Sequence, residues 1–182
     1  MWLDVLDVAL HLFLGTDAFQ PGPVSNNPLH HSDAMFEVAN IVPVLESAPQ
    51  LHSPVFRYPR AAAQAALAVA PRGADGLRRV RYVNPLTGGA CMSLLDCYSV
   101  AVDSKKFSLP FRTSYSVVCS VVKGSGKTKI GDTEISWSEK DVFTLPYDSW
   151  VSHMADGDAQ IFMVTNRDLY ARLGLLREEY EQ

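Results

Sequence analysis

The sequence predicts a mainly β domain with helices and loops at its margins, and three observations carry that. Between Arg79 and Arg167 the runs LLDCYSVAV, SYSVVCSVV, KTKI, TEISW, DVFTLP, WVSHM and AQIFMVT are apolar or alternate apolar with polar. Gly, Asp, Pro or Ser interrupts them at close spacing, which is the pattern of a sandwich or barrel. Helical periodicity is confined to the segments before and after this zone.

Taken in order, the chain divides into a helix-plus-loop segment (1–58), a short helix and turn (59–78) and a β domain ending in a helix (79–182). In the first segment Leu3, Leu6, Ala9, Leu10, Phe13 and Leu14 recur at helical spacing, and the following QPGPVSNNPLHHSD is turn chemistry. A start this apolar needs cover, which implies a partner subunit or a preceding domain. In the second segment Pro59 suits a first helical position, RAAAQAALAVA has high helix propensity, and Pro71 with Gly73 ends the run. The closing RDLYARLGLLREEYEQ returns to helical period.

At 182 residues the chain is long enough for one domain with a substantial core. A net charge of −4 and the lack of any basic stripe exclude an electrostatic nucleic-acid binder. A small molecule or a protein is the expected partner. The N-terminal MWLDVLDVALHLFLG has no basic n-region and carries Asp4 and Asp7, so neither a signal peptide nor a membrane span is expected. Cys91, Cys97 and Cys119 form no CxxC pair and read as buried, reduced thiols, consistent with a cytoplasmic protein.

The stretch GSGKT at Gly124–Thr128 looks like the end of a phosphate-binding loop. The first glycine of that motif would fall at Val121, and KTKIGDTEISW continues as strand rather than opening a helix. The glycines Gly124 and Gly126 therefore read as a hairpin turn between two strands.

VVKGSGKTKIGD at Val121–Asp132, followed by Trp137, DVFTLP at Asp141–Pro146 and Trp150, resembles a cupin, a double-stranded β-helix or jelly-roll barrel. FRYPR at Phe56–Arg60, RYVNPLTGG at Arg81–Gly89 and RLGLLREE at Arg172–Glu179 narrow the resemblance. Together they look like the C-terminal half of a gentisate 1,2-dioxygenase, in the group that includes salicylate and 1-hydroxy-2-naphthoate dioxygenases. The opening WLDVLDVAL resembles the passage between the two cupins of such proteins. The resemblance implies cytoplasmic enzymes of aromatic catabolism that open a hydroxylated ring with O₂ at Fe(II). Three histidines would hold the metal, two from an H-x-H and a third from a later strand, leaving open positions for substrate and O₂.

At the positions that correspond to those histidines this sequence has Phe111, Thr113 and Val151. His153 lies two residues beyond Val151, on the same face of a strand, and is the remaining candidate ligand or else a buried, hydrogen-bonded histidine. Arg112 is either an anchor for a carboxylate or an ordinary ion pair; with Trp150 and His153 it marks the expected barrel pocket. His11, His30, His31 and His52 read as exposed helix or loop residues. Asp103, Asp132 and Asp141 occupy turn positions, where carboxylates hydrogen-bond the backbone. Trp137, Trp150, Phe143 and Phe162 read as barrel core.

The resemblance thus implies a half that carries no iron of its own, Fe(II) residing in the other cupin. That half packs against an N-terminal iron-bearing cupin, in cis or in trans, and builds a homo-oligomer. Alternatives are a free-standing, metal-free cupin module that binds a small apolar or aromatic ligand, and a truncated remnant.

Overall fold

Two five-stranded antiparallel sheets face each other. The first runs β1 (Arg78–Tyr82), β2 (Asp96–Val102), β9 (Ala159–Thr165), β4 (Val117–Lys123) and β7 (Val142–Leu145), in that spatial order. The second runs β10 (Glu178–Tyr180), β3 (Phe111–Thr113), β8 (Val151–Ala155), β5 (Ser125–Ile130) and β6 (Thr133–Ser138). This is the cupin-like sandwich that the alternating runs predict. The computed structural model describes residues 3–6, 8–16, 22, 34, 53–55, 57–103 and 105–181. His30, His31, His52 and Phe56 lie outside the described residues.

The strand alternation translates directly into burial. Along β4, Val117, Cys119 and Val121 are buried while Val118, Ser120 and Val122 are half-buried, because successive side chains leave opposite faces. β9 sits at the centre of the first sheet, paired with β2 and β4, and nearly all of it is buried. The helix α2 (Arg60–Val69) makes contact with β1 and β2, and its Leu67 is buried. Pro59 stands one residue ahead of that helix as its cap rather than inside it. The helix α1 is shorter than the apolar spacing predicts, spanning Val8–Leu14 with no buried residue; Leu3 and Leu6 precede it.

Two expectations are corrected. Gly124-Ser125-Gly126 is not a hairpin turn, because β4 and β5 belong to different sheets and do not pair. Gly124, with φ +86°, carries the chain across from one sheet to the other. The hairpin is the next connection, β5 to β6, where Ile130 pairs with Thr133 around Gly131-Asp132. Gly126 is needed for space. A Cβ there would collide with the Met154 carbonyl oxygen and lie 2.6 Å from the Trp137 ring. The second correction concerns the C-terminus. The helix α3 (Arg167–Arg172) stops before Gly174 (φ +71°), and Glu178–Tyr180 forms β10 on the open edge of β3. A free strand edge offers the backbone hydrogen bonds that a solvated helical turn cannot better.

RYVNPLTGG spans the end of β1 and a self-tied turn. Asn84 is buried, its side-chain oxygen accepts the Leu86 N–H at 2.9 Å, and its backbone N–H donates to Gly89. Asp141 does serve a turn, accepting from the Ser138 N–H at 2.8 Å. Asp103 instead pairs with Arg72 and Arg78. Cys91, Cys97 and Cys119 are free thiols. Burial pushes the Cys119 thiol up and out of reach of thiolate chemistry. Among the described residues no helix is long and apolar enough to cross a membrane.

The tight approach at Gly126 gives a direct test. Gly126→Ala should destabilise the fold by about 3 kcal/mol or more, since neither a backbone carbonyl nor a buried indole can yield cheaply. Gly131→Ala, at φ +54° with open space around it, should cost about 1 kcal/mol. Urea denaturation of the two variants checks the ranking.

Candidate functional site

The strand β3 places the three residues FRT. Phe111 lies opposite Val151 of β8 on one side and Tyr180 of β10 on the other. Thr113 is opposite Glu178, and Arg112 is opposite Glu179. Period-two alternation sends Phe111, Thr113, Glu178 and Tyr180 toward one face and Arg112 with Glu179 toward the other. Arg112 is held by Glu179 at 2.6 Å and lies over the Trp150 ring at 4.9 Å, with Asp148 at 3.7 Å. It behaves as a stacked, ion-paired surface guanidinium at the rim of the space between the sheets.

The donor set does not fit iron. Phe111 and Val151 face each other across the ladder and offer no lone pair, and Thr113 donates its hydroxyl to the Tyr115 carbonyl at 2.9 Å. The guanidinium of Arg79 lies 5.5 Å from the Phe111 ring centre, so a positive charge already stands where a cation would have to come. Among the described residues no group of three His, Cys, Asp or Glu side chains could hold a metal.

His153 is completely buried on β8, directly opposite Thr128 of β5. The Trp137 indole N–H donates to Thr128 Oγ1 at 2.8 Å, and Thr128 Oγ1 meets His153 Nδ1 at 2.8 Å. The indole can only donate. Thr128 Oγ1 keeps one hydrogen and one lone pair for Nδ1, so the direction of that bond follows the imidazole tautomer. The His153 Nε2 has no hydrogen-bond partner. Phe111 lies beside the ring, 5.9 Å between centres. Burial, reinforced by Arg79 and partly opposed by Asp75, lowers the His153 pKa to about 3. The imidazole is a neutral, inward-facing structural group.

Between the sheets lies a cavity of about 390 Å³. Arg112 borders it, whereas Trp150 and His153 are not among its lining residues. Its polar wall comes from residues that the sequence reading passed over. Arg79 and Arg81 project from β1; Arg79 makes a two-pronged pair with the buried Asp75, and Arg81 bonds the buried Asp96 at 2.7 Å and Asp168 at 3.2 Å. Arg167 grips Glu178 through two bonds of 2.8 and 2.9 Å, and the Tyr115 hydroxyl donates to the same carboxylate at 2.7 Å. The Arg167 bond draws the Glu178 carboxyl below its usual range despite its burial. Burial first, then Asp96, pushes the Tyr98 phenol up to about 12, so it remains a neutral donor. The signal for the first two arginines was present in RRVRY, where Arg79 and Arg81 stand two apart on one strand face. Asp75 lies only four residues before Arg79, whereas Asp96 and Asp168, the partners of Arg81, are remote in sequence.

The buried imidazole sets a pH dependence. An unfolded chain takes up the His153 proton below pH about 6.5, and the folded chain does not until about 3. Stability therefore falls as pH falls through that window, by about 2 kcal/mol from this group between pH 6.5 and 5. His153→Gln should be less stable at pH 7 but flatter across the interval, as read by denaturant unfolding at pH 7, 6 and 5.

With this geometry in place, comparison with known proteins adds the ancestry. No protein-family model matches the chain. It is 32% identical to 5-aminosalicylate 1,2-dioxygenase of Comamonas sp. over 98% of its own length and 50% of that protein's. It is 31% identical to gentisate 1,2-dioxygenase 1 of Aquipseudomonas alcaligenes over 98% of itself and 53% of that protein. The fold matches a solved structure of salicylate 1,2-dioxygenase from Pseudoaminobacter salicylatoxidans with gentisate. The TM-score is 0.84 at 20% identity, over 96% of this chain and 52% of that one. The chain is thus homologous to the gentisate and 5-aminosalicylate 1,2-dioxygenases, and it spans about half the length of these relatives.

Proposed function

We propose that the chain is the C-terminal, iron-free half of a gentisate-type ring-cleaving dioxygenase, with a scaffolding rather than a catalytic role. The observation that carries this reading is the content of the three ligand positions. Phe111 and Val151 are apolar partners across a ladder, Thr113 is engaged with the backbone, and Arg79 brings positive charge to the Phe111 ring. Iron chemistry would then belong to an N-terminal cupin, joined in cis or supplied in trans.

The scaffolding role is supported by surface that the fold does not cover. Leu6 is 72% exposed and Phe13 is 87% exposed, with Leu12 and Leu14 beside it on α1. A cluster of this kind favours contact with another subunit or domain. We infer a homo-oligomer in which this helix lies against a neighbouring cupin.

Two measurements test the proposal. The purified chain should hold far less than one iron per chain after anaerobic incubation with Fe(II), and should consume no oxygen when gentisate is added. Stoichiometric iron together with gentisate-dependent oxygen uptake overturns it. Light scattering should find a dimer or tetramer, and Phe13→Asp should shift that species toward monomer. A clean monomer for the unaltered chain removes the assembly role.

A further inference from the structure

We propose that Cys91 and Cys97 form a reversible disulfide, a modification site at the turn between β1 and β2 that a small peroxide can oxidise. The site depends on neither the iron reading nor the scaffolding reading above. Tertiary placement, rather than a CxxC spacing, brings the two residues together. Tyr82 at the end of β1 lies opposite Cys97 near the start of β2, and Val83 forms a bridge with Ala90. Asn84 closes the intervening turn, its backbone N–H donating to the Gly89 carbonyl at 3.0 Å and its own carbonyl accepting from the Gly88 N–H at 2.8 Å. Cys91 is thus the first residue beyond the bridge, and the chain bends back over residues 92–95 to enter β2.

Both cysteines are free thiols, and the Cys97 S–H donates a hydrogen bond to the Cys91 sulfur. That bond draws the Cys91 thiol below its ordinary range against the effect of its own burial. The same bond, together with burial, pushes the Cys97 thiol up. Cys91 is therefore the nucleophile and Cys97 the resolving thiol. Cys91 is buried and Cys97 half-buried, beside the rings of Tyr58 and Tyr82, which meet edge to face at 5.4 Å. Access suits an oxidant of a few atoms. With hydrogen peroxide, the Cys91 thiolate attacks one oxygen: an S–O bond forms, the O–O bond breaks, and the departing hydroxide takes up a proton as water. The Cys97 sulfur then attacks the Cys91 sulfenic acid. The S–S bond forms, the S–O bond breaks, and the hydroxyl leaves with the Cys97 proton as a second water. Two thiols have lost two electrons and two protons, and one peroxide has become two waters. A dithiol reductant reverses the step by exchange. The crosslink pins Cys91 to β2. The Cys91 carbonyl accepts the Ser53 N–H at 2.7 Å, and the Tyr58 hydroxyl donates to the Val83 carbonyl at 2.6 Å, so oxidation also steadies Ser53 and Tyr58 against the turn.

Cys119 serves as the internal control, since it is fully buried and its thiol is pushed up by burial alone. The folded, unaltered chain is treated with hydrogen peroxide in the presence of a metal chelator. Free thiols should fall from three to one, and the mass should drop by that of two hydrogens. Peptide mapping should recover Cys91 joined to Cys97 with Cys119 free, and a dithiol reductant should restore all three. Amides of residues 84–90 should exchange at least about tenfold more slowly in the oxidised chain. Cys97→Ser should stop at a sulfenic acid on Cys91 that a dimedone reagent labels, and Cys91→Ser should give no label at Cys97. Should either serine variant fail to fold, mapping and exchange on the unaltered chain decide alone. Retention of three thiols, a linkage that includes Cys119 or joins two chains, or unchanged exchange after crosslinking overturns the proposal.

Discussion

A charge taken into this barrel must bring its counter-ion with it, and that constraint organises the interior. Asp75 and Asp96 are fully buried carboxylates, and each meets an arginine from β1. Neither partner could stay alone, since an unpaired buried charge costs several kcal/mol. The pairs therefore fix where β1 lies relative to the turn before it and to β2. They also fix where the guanidiniums end, at the wall of the cavity and beside Phe111. β10 repeats the device from the opposite sheet, with Glu178 between Arg167 and Tyr115.

The same constraint bears on Phe111, Thr113 and Val151, the positions that the family resemblance assigns to iron ligands. A three-histidine iron site needs imidazoles facing an open space free of competing positive charge. Here Phe111 and Val151 offer no lone pair, and the Arg79 guanidinium stands beside the Phe111 ring. The one imidazole nearby, His153, is turned to a different task. Through Thr128 it joins the Trp137 indole in a buried hydrogen-bonded chain that links β8, β5 and β6.

Much of the fold was legible in the sequence, and most of the failures share one cause. Short apolar or alternating runs located β2 and β4 to β9: β4 alternates because it buries one face, whereas β9 is a largely apolar run buried on nearly every residue. The GSGKT glycines were correctly read as backbone devices and wrongly read as a hairpin. Local sequence gives the bend but not the sheet that each flanking strand joins. REEY looked helical by charge and spacing, yet the free edge of β3 offered it a better set of hydrogen bonds. Arg112 and His153 were singled out as residues of the expected pocket; Arg112 borders the cavity as an ion-paired group, and His153 is not among its lining residues. Two of the arginines that line the cavity have distant partners: Arg167 meets Glu178 across a helix and a turn, and Arg81 meets Asp168 across most of the domain, whereas Arg79 meets Asp75 four residues away and was simply passed over.

The sequence by itself determined the β-rich architecture, the helix at Arg60–Val69 and the lack of a metal-donor side chain at Phe111 and Val151. Those follow from residue chemistry and short-range period, which need no knowledge of neighbours. Only the tertiary structure decided that Gly124 crosses between sheets, that the C-terminus ends as a strand, and that His153 is buried and neutral. It also decided that a recess remains between the sheets, walled by anchored arginines. Burial, pairing partner and enclosed volume are properties of surfaces brought together from far along the chain, and no local pattern encodes them.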